Sequence, residues 1–190
     1  MTILILGLAL WYAAHFFKPA MPAQRAAMTA SMGEKPARGV MAALILGSVA
    51  LMVIGYKQAD SGPVWNPPAM LTHINNLMML IAVGLYGASH SKGNAKRYVR
   101  HPMLVGTAVW AVAHLLVNGD VASIVLFGAM LVWAVVSISF INKRDGEWVK
   151  PAPGPRKKDF ILVGITLVVF GVITVLHSLA GVSPFPMSGS

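Results

Sequence analysis

Two short stretches, Trp11-x-x-x-His15 and Trp110-x-x-x-His114, each place a tryptophan one helical turn before a histidine. The surrounding chain is 56% hydrophobic and only 11% charged. A third histidine, His73, lies in the equally apolar stretch LTHINNLMM. Imidazoles in such surroundings face an interior site in most proteins. They relay protons, ligate a metal, or pack as neutral rings that donate to a backbone carbonyl of a neighbouring helix. A proton relay usually needs carboxylates, and no Asp or Glu stands inside these apolar segments. A non-haem metal centre usually needs three or more ligands, with carboxylate or thiolate among them, and the chain has no cysteine. Haem needs only one or two imidazoles and a wide apolar slot. The donors available at His114, His15 and His73 therefore suit haem best.

The neighbours along each helix fit the same chemistry. Met103, Gly106, Trp110 and His114 share one helical face, as do Leu4, Leu8, Trp11 and His15. Gly106 would let a flat macrocycle approach the backbone, and Trp110 would line its edge. Ordinary helix packing, with Gly106 as a point of close approach, explains the same stripes.

Six segments must position these residues: 2–19, 39–56, 69–89, 102–118, 121–141 and 159–180. Each approaches the ~20 apolar residues that cross a bilayer. Charge enters them only at ends, with Lys18 and Asp159. Mean hydropathy is +0.68, and a soluble domain would carry roughly a quarter charged residues. The first segment lacks a basic leader and a small-residue cleavage site, so it is expected to be retained.

The cations alternate with the loops. Lys18, Arg25, Lys35 and Arg38 follow the first segment; Lys92, Lys96, Arg97 and Arg100 follow the third; Lys143, Arg144, Lys150, Arg156, Lys157 and Lys158 follow the fifth. Of the 15 Lys and Arg residues, only Lys57 falls on the other side. The positive-inside rule makes the basic side cytoplasmic. The fold expected is all-α: a polytopic membrane bundle of about six transmembrane helices, with both termini outside. The net charge of +9 is then a topology signal, with anionic lipid as its natural contact, and nucleic acid is a poor reading.

One integral membrane domain, 1–190, is expected. Residues 19–38, with Pro19, Pro22 and Pro36, suit a weakly amphipathic segment lying flat at the interface. KQADSGPVWNPP reads as turn chemistry, with Trp65 at the outer interface, and KRDGEWVKPAPGPRKK as a charged linker. The tail GVSPFPMSGS is expected to be short and extended. Pro102 fits the first turn of a helix, with Arg100 at the cytoplasmic interface. Asn118-Gly119-Asp120 suits a hairpin turn, with Asn118 and Gly119 closing one helix in the left-handed region and Asp120 capping the next. Three helices per half would make the two Trp-x-x-x-His stretches counterparts in halves of opposite direction. His90, His101 and His177 fall near interfaces, where solvated imidazoles are ordinary.

RHPMLVG followed by WAVAHLLVNGD resembles the NnrU family of bacterial membrane proteins, and His15, LTHINNLMM and LHSLAGVSP extend that likeness in order over nearly the whole chain. The resemblance implies a bacterial inner-membrane protein associated with denitrification and nitric oxide metabolism. The family is similar to 15-cis-zeta-carotene isomerase, a membrane haem b protein whose haem-ligand histidines match His15 and His114. The isomerase has a cysteine where this chain has Ala111, so a thiol ligand switch is impossible here and the resemblance alone does not carry isomerase activity over. Arg100-His101-Pro102 also resembles the start of a membrane methyltransferase pattern, whose later paired glutamates are represented only by Glu147.

The resemblance pairs His15 with His114. Depth favours another pairing: at 1.5 Å per residue, His15 and His114 lie about 10 Å apart across the midplane of a ~30 Å core, and His73 is closer in depth to His114. The reading is thus haem b ligated by His114 with His15 or His73, and Trp11, Gly106, Trp110 and Arg100 as cofactor-binding residues. The role implied is electron transfer, redox sensing or redox-gated chemistry, with a redox partner or nitrogen-oxide respiratory enzyme in the same membrane. The other classes are a membrane-embedded isomerase or methyltransferase-like enzyme, and a non-catalytic assembly partner of a denitrification enzyme.

Overall fold

A computed structural model describes residues 1–185. The expected tail lies partly outside them, at 186–190. Among the described residues the chain forms seven α-helices and a short 3-10 turn, with no strands. The helices are α1 (Thr2–Ala20), α2 (Pro22–Met32), α3 (Glu34–Lys57), α4 (Leu71–His90), α5 (Pro102–Val117), α6 (Val121–Asp145) and α7 (Arg156–Leu179). Five of them, α1, α3, α4, α6 and α7, are long and apolar enough to cross a membrane. The 16 residues of α5 span only ~24 Å at helical rise, short of a ~30 Å hydrocarbon core. This is the architecture of a multi-pass membrane protein.

The helices fall into two compact units. Among the described residues, the first comprises 1–63 and 120–126, the second 64–119 and 127–185.

In the first unit α1 packs against α3. Between helices in lipid there is little hydrophobic driving force, so close backbone approach through small residues does the work. Gly7 lies against Met52 and the Ser48 carbonyl, where an added Cβ would come within 2.7 Å of the Met52 nitrogen. At Gly55 an added Cβ would fall on the backbone of Leu4. Leu4, Leu8, Ser48 and Met52 are buried at this crossing. The segment after α1 folds as a helix of its own: Pro22 opens α2 at its first turn, and Gly33, at φ +87°, closes it. α3 then begins at Glu34, earlier than the apolar run alone suggests, with Glu34 pairing Arg38 one turn on.

In the second unit α5 and α7 each pack on α4. Gly106 faces α4, where an added Cβ would lie 3.2 Å from the Ala82 carbonyl and from Leu85 Cβ. Beside it, the Tyr86 and Thr107 hydroxyls share a hydrogen bond of 3.0 Å. His101 Nε2 lies 2.9 Å from Asn142 Oδ1 at one end of α5, and His114 meets Phe127 near the other. These two contacts set α5 antiparallel to the second-unit part of α6.

The Asn-Gly-Asp turn corrects part of the sequence reading. Among the described residues no non-glycine residue has positive φ, and Gly119 is not among the glycines that do. Asn118 instead ends α5 in extended conformation, its side-chain amide donating to the His114 carbonyl at 2.8 Å. Glycine is required at 119 because Trp65 comes too close: an added Cβ would fall on the Trp65 carbonyl. The Val64 and Trp65 amides both donate to the Gly119 carbonyl, at 2.7 and 3.2 Å. Asp120 is the cap that was expected, accepting from the Ser123 amide at 2.9 Å and from the Ser61 hydroxyl at 2.9 Å.

Candidate haem-ligand histidines

His114 stands in the last turn of α5, and its ring is held from three sides. Nδ1 lies 2.9 Å from the Trp110 carbonyl one turn back, and as an N–H it donates to that oxygen. The Phe127 ring of α6 stacks on the imidazole at 4.5 Å and 28°. Trp110 lies 5.1 Å from the imidazole and meets Phe127 edge-on at 5.1 Å. In a neutral imidazole whose Nδ1 donates, Nε2 carries the lone pair. The hydrogen bond to Trp110 therefore favours the tautomer whose Nε2 lone pair is available to a ligand, the nitrogen through which ligating histidines commonly bind. The packed alternative placed the acceptor on a neighbouring helix; it lies on the histidine's own helix.

His15 repeats this local device in the first unit. Its Nδ1 donates to the Trp11 carbonyl at 2.9 Å, and the two rings lie 4.0 Å apart. The repeat is longer than the sequence reading took it to be. Gly7 precedes Trp11 as Gly106 precedes Trp110, so both units contain Gly-x-x-x-Trp-x-x-x-His. In both, the glycine is the point where its helix meets a neighbour: α3 for Gly7, α4 for Gly106. Gly106 thus takes the packing role of its two possible roles, since α4 occupies the space in front of it. The constant four-residue spacing was the available signal.

The remaining candidates separate. His73 is exposed near the start of α4, whereas Asn75, two residues on, is buried. Asn75 Oδ1 has no hydrogen-bond partner among the described residues. Asn76 donates to the Pro184 carbonyl at 2.8 Å. An Asn-Asn pair within an apolar segment was the sequence signal for this polar spot. Arg100 lies just before α5 at the end opposite His114, ~21 Å away along the helix, and interacts electrostatically with Asp145. His177, read as an ordinary interfacial histidine, is half-buried on α7 and within electrostatic reach of His114. Its Nδ1 also donates one turn back, to the Ile173 carbonyl at 2.8 Å. Glu147 is exposed in the linker after α6. Among the described residues no three His, Cys, Asp or Glu side chains group as a metal ion would need; His114 offers a single imidazole, and haem asks for only one or two.

A family model described as NnrU protein matches residues 3–184, nearly the whole chain. Among curated proteins and solved structures, none matches the chain.

Proposed function

The chain belongs to the NnrU protein family, and from that premise we propose a haem b protein of the bacterial inner membrane, in which His114 would hold the haem. A second imidazole, from His15 or His73, would hold it with His114. The observation that carries this reading is the fixed His114 ring: Nδ1 is committed to the Trp110 carbonyl and one face to Phe127. That leaves Nε2 as the coordinating atom on a ring already oriented. Trp110 and Trp11 orient the imidazoles through their carbonyls and pack against them. Haem bound here would supply a one-electron couple, suited to electron transfer, redox sensing or redox-gated chemistry in nitrogen-oxide respiration. Six spans, with α5 as the short one and both termini outside, agree with the alternating cations.

The test is the absorption spectrum of protein purified from haem-replete cells. A Soret band and a b-type pyridine haemochrome are expected. Colourless, folded protein would sink the reading in favour of a non-catalytic assembly partner. Calorimetric binding of S-adenosylmethionine by that protein would favour a methyltransferase-like enzyme instead.

A further inference from the structure

The second unit contains an apolar groove of about 280 Å³ between α4 and α7. Val83, Gly87 and His90 line it from α4, and Ile165, Thr166 and Val169 from α7. Its floor is set by close contact: an added Cβ at Gly87 would come within 2.6 Å of Leu162, and one at Gly84 within 3.6 Å of Thr166. Its α7 wall opens outward, with Ile165 53% and Val169 39% exposed. Both walls belong to helices long and apolar enough to cross a membrane, so the groove stands at hydrocarbon depth.

The two ends of the groove differ. Toward the basic loops it reaches His90, the last residue of α4. At that end Lys92 follows α4, and Arg156, Lys157 and Lys158 form the first turn of α7, all exposed. The loop is pinned there, because the Lys92 carbonyl lies against Gly154. Asp159 is the nearby acid, and its carboxylate accepts from the Asn94 amide at 2.6 Å, the Ala95 amide at 3.2 Å and Asn94 Nδ2 at 2.8 Å. It is thus engaged in holding the loop, and the four cations beside it outnumber it.

We propose that this groove binds one anionic phospholipid, its acyl chain lying between α4 and α7 and its phosphate among Lys92, Arg156, Lys157 and Lys158. The charge selects the occupant. A second copy of the chain inserts with the same orientation, so its α7 would run parallel and bring Arg156, Lys157 and Lys158 against their own copies. Like charges in such proximity repel. An anionic headgroup neutralises them while its tail covers the apolar wall. Basic pockets between transmembrane helices bind lipid headgroups by the same logic.

The test is native mass spectrometry of the full-length protein, released from vesicles of equal phosphatidylglycerol and phosphatidylcholine with identical tails. The wild type should retain one phosphatidylglycerol, at least about fivefold over phosphatidylcholine. Val169→Trp fills the groove from an exposed position and should lower retention of both lipids about fivefold. Lys157→Gln with Lys158→Gln should lower phosphatidylglycerol to the phosphatidylcholine level and leave the latter unchanged. Equal retention of the two lipids by the wild type overturns the proposal whatever the variants do. So does unchanged retention in Val169→Trp, or a dimer that Val169→Trp dissociates, which would make a second copy the occupant. Helix content by circular dichroism checks folding, and Ile165→Trp probes the same wall if Val169→Trp does not fold.

Discussion

The first and second units carry the same Gly-x-x-x-Trp-x-x-x-His device and support it differently. In the first, the glycine crossing is backbone on backbone: Gly7 on Met52 and Gly55 on Leu4. In the second, the crossing at Gly106 is looser, 3.2 Å to its nearest neighbours, and is reinforced by the Tyr86–Thr107 hydrogen bond. Downstream of the crossing, Phe127 comes from another helix to stack on the His114 imidazole. The comparison teaches that orienting an imidazole and positioning its helix are separate tasks. One turn of helix sets the Nδ1 hydrogen bond in both units; contacts distant in sequence position the helix, through backbone in the first unit and with side chains added in the second.

The largest effect that would sharpen this comparison is on haem. His114→Ala should abolish the low-spin spectrum and reduce retained haem at least ~10-fold, the scale on which even indirect ligand support matters. His15→Ala and His73→Ala should then differ: whichever supplies the second imidazole converts the spectrum to high-spin, and the other leaves it intact. His177→Ala should leave the low-spin bands in place. Intact spectra in His114→Ala would break the comparison at its centre.

The next effect is on stability. Gly55→Ala places a methyl group on the Leu4 backbone, where nothing flexible can yield, and Gly106→Ala asks its neighbours to give by only a few tenths of an ångström. Overpacking of the first kind costs about 1–3 kcal/mol, and the second should cost less than about 1 kcal/mol. Thermal unfolding in detergent should therefore rank Gly55→Ala well below Gly106→Ala. The reverse order would mean that the α4–α5 crossing is the tighter one.

Much of this was legible in the sequence. The apolar runs located six of the seven helices, because hydropathy reports membrane segments directly. Pro102 and Asp120 marked the starts of α5 and α6, because Pro at the first turn and an acidic cap act locally. The Trp-His turns were legible for the same reason. Gly119 was read as a local turn residue, yet its cause is the Trp65 backbone more than fifty positions away. Gly7 was missed because its partner, Met52, lies 45 positions on. Residues 19–38 were expected as a weakly amphipathic interfacial segment, because their composition carries little apolar signal; that part of them forms helix α2 was marked only locally, by Pro22 and Gly33, which bracket it. The electrostatic neighbour of His114, His177, depends on how α7 packs, which no local pattern records.

A smaller effect separates the supports of the two crossings. Tyr86→Phe removes the hydroxyl that bonds Thr107 in the second unit, and a double-mutant cycle with Thr107→Val should give about 0.6 kcal/mol of coupling, the average for such bonds between membrane helices. A coupling near zero would assign the α4–α5 crossing to packing at Gly106 alone.

The smallest effect is the acid sensitivity of the Asp120 cap in the first unit. Burial opposes the charge on Asp120, but the Ser123 hydroxyl and amide and the Ser61 hydroxyl more than offset it, holding the carboxyl below its ordinary value of 3.8. A carboxyl depressed in the folded state stabilises fully above its unfolded pKa, and that contribution fades as pH falls through the lower, folded pKa. Between neutral pH and the ordinary value, the exchange protection factor at the start of α6, corrected for the intrinsic pH dependence of exchange, should therefore stay constant. Below it, protection of the Ser123 amide should fall as the carboxylate that accepts from it is protonated. Asp120→Asn keeps a capping oxygen and removes the titration, so exchange in that variant should lose its acid step. A step of equal size in Asp120→Asn would place the acid sensitivity elsewhere, and the cap would then hold α6 by geometry rather than by charge.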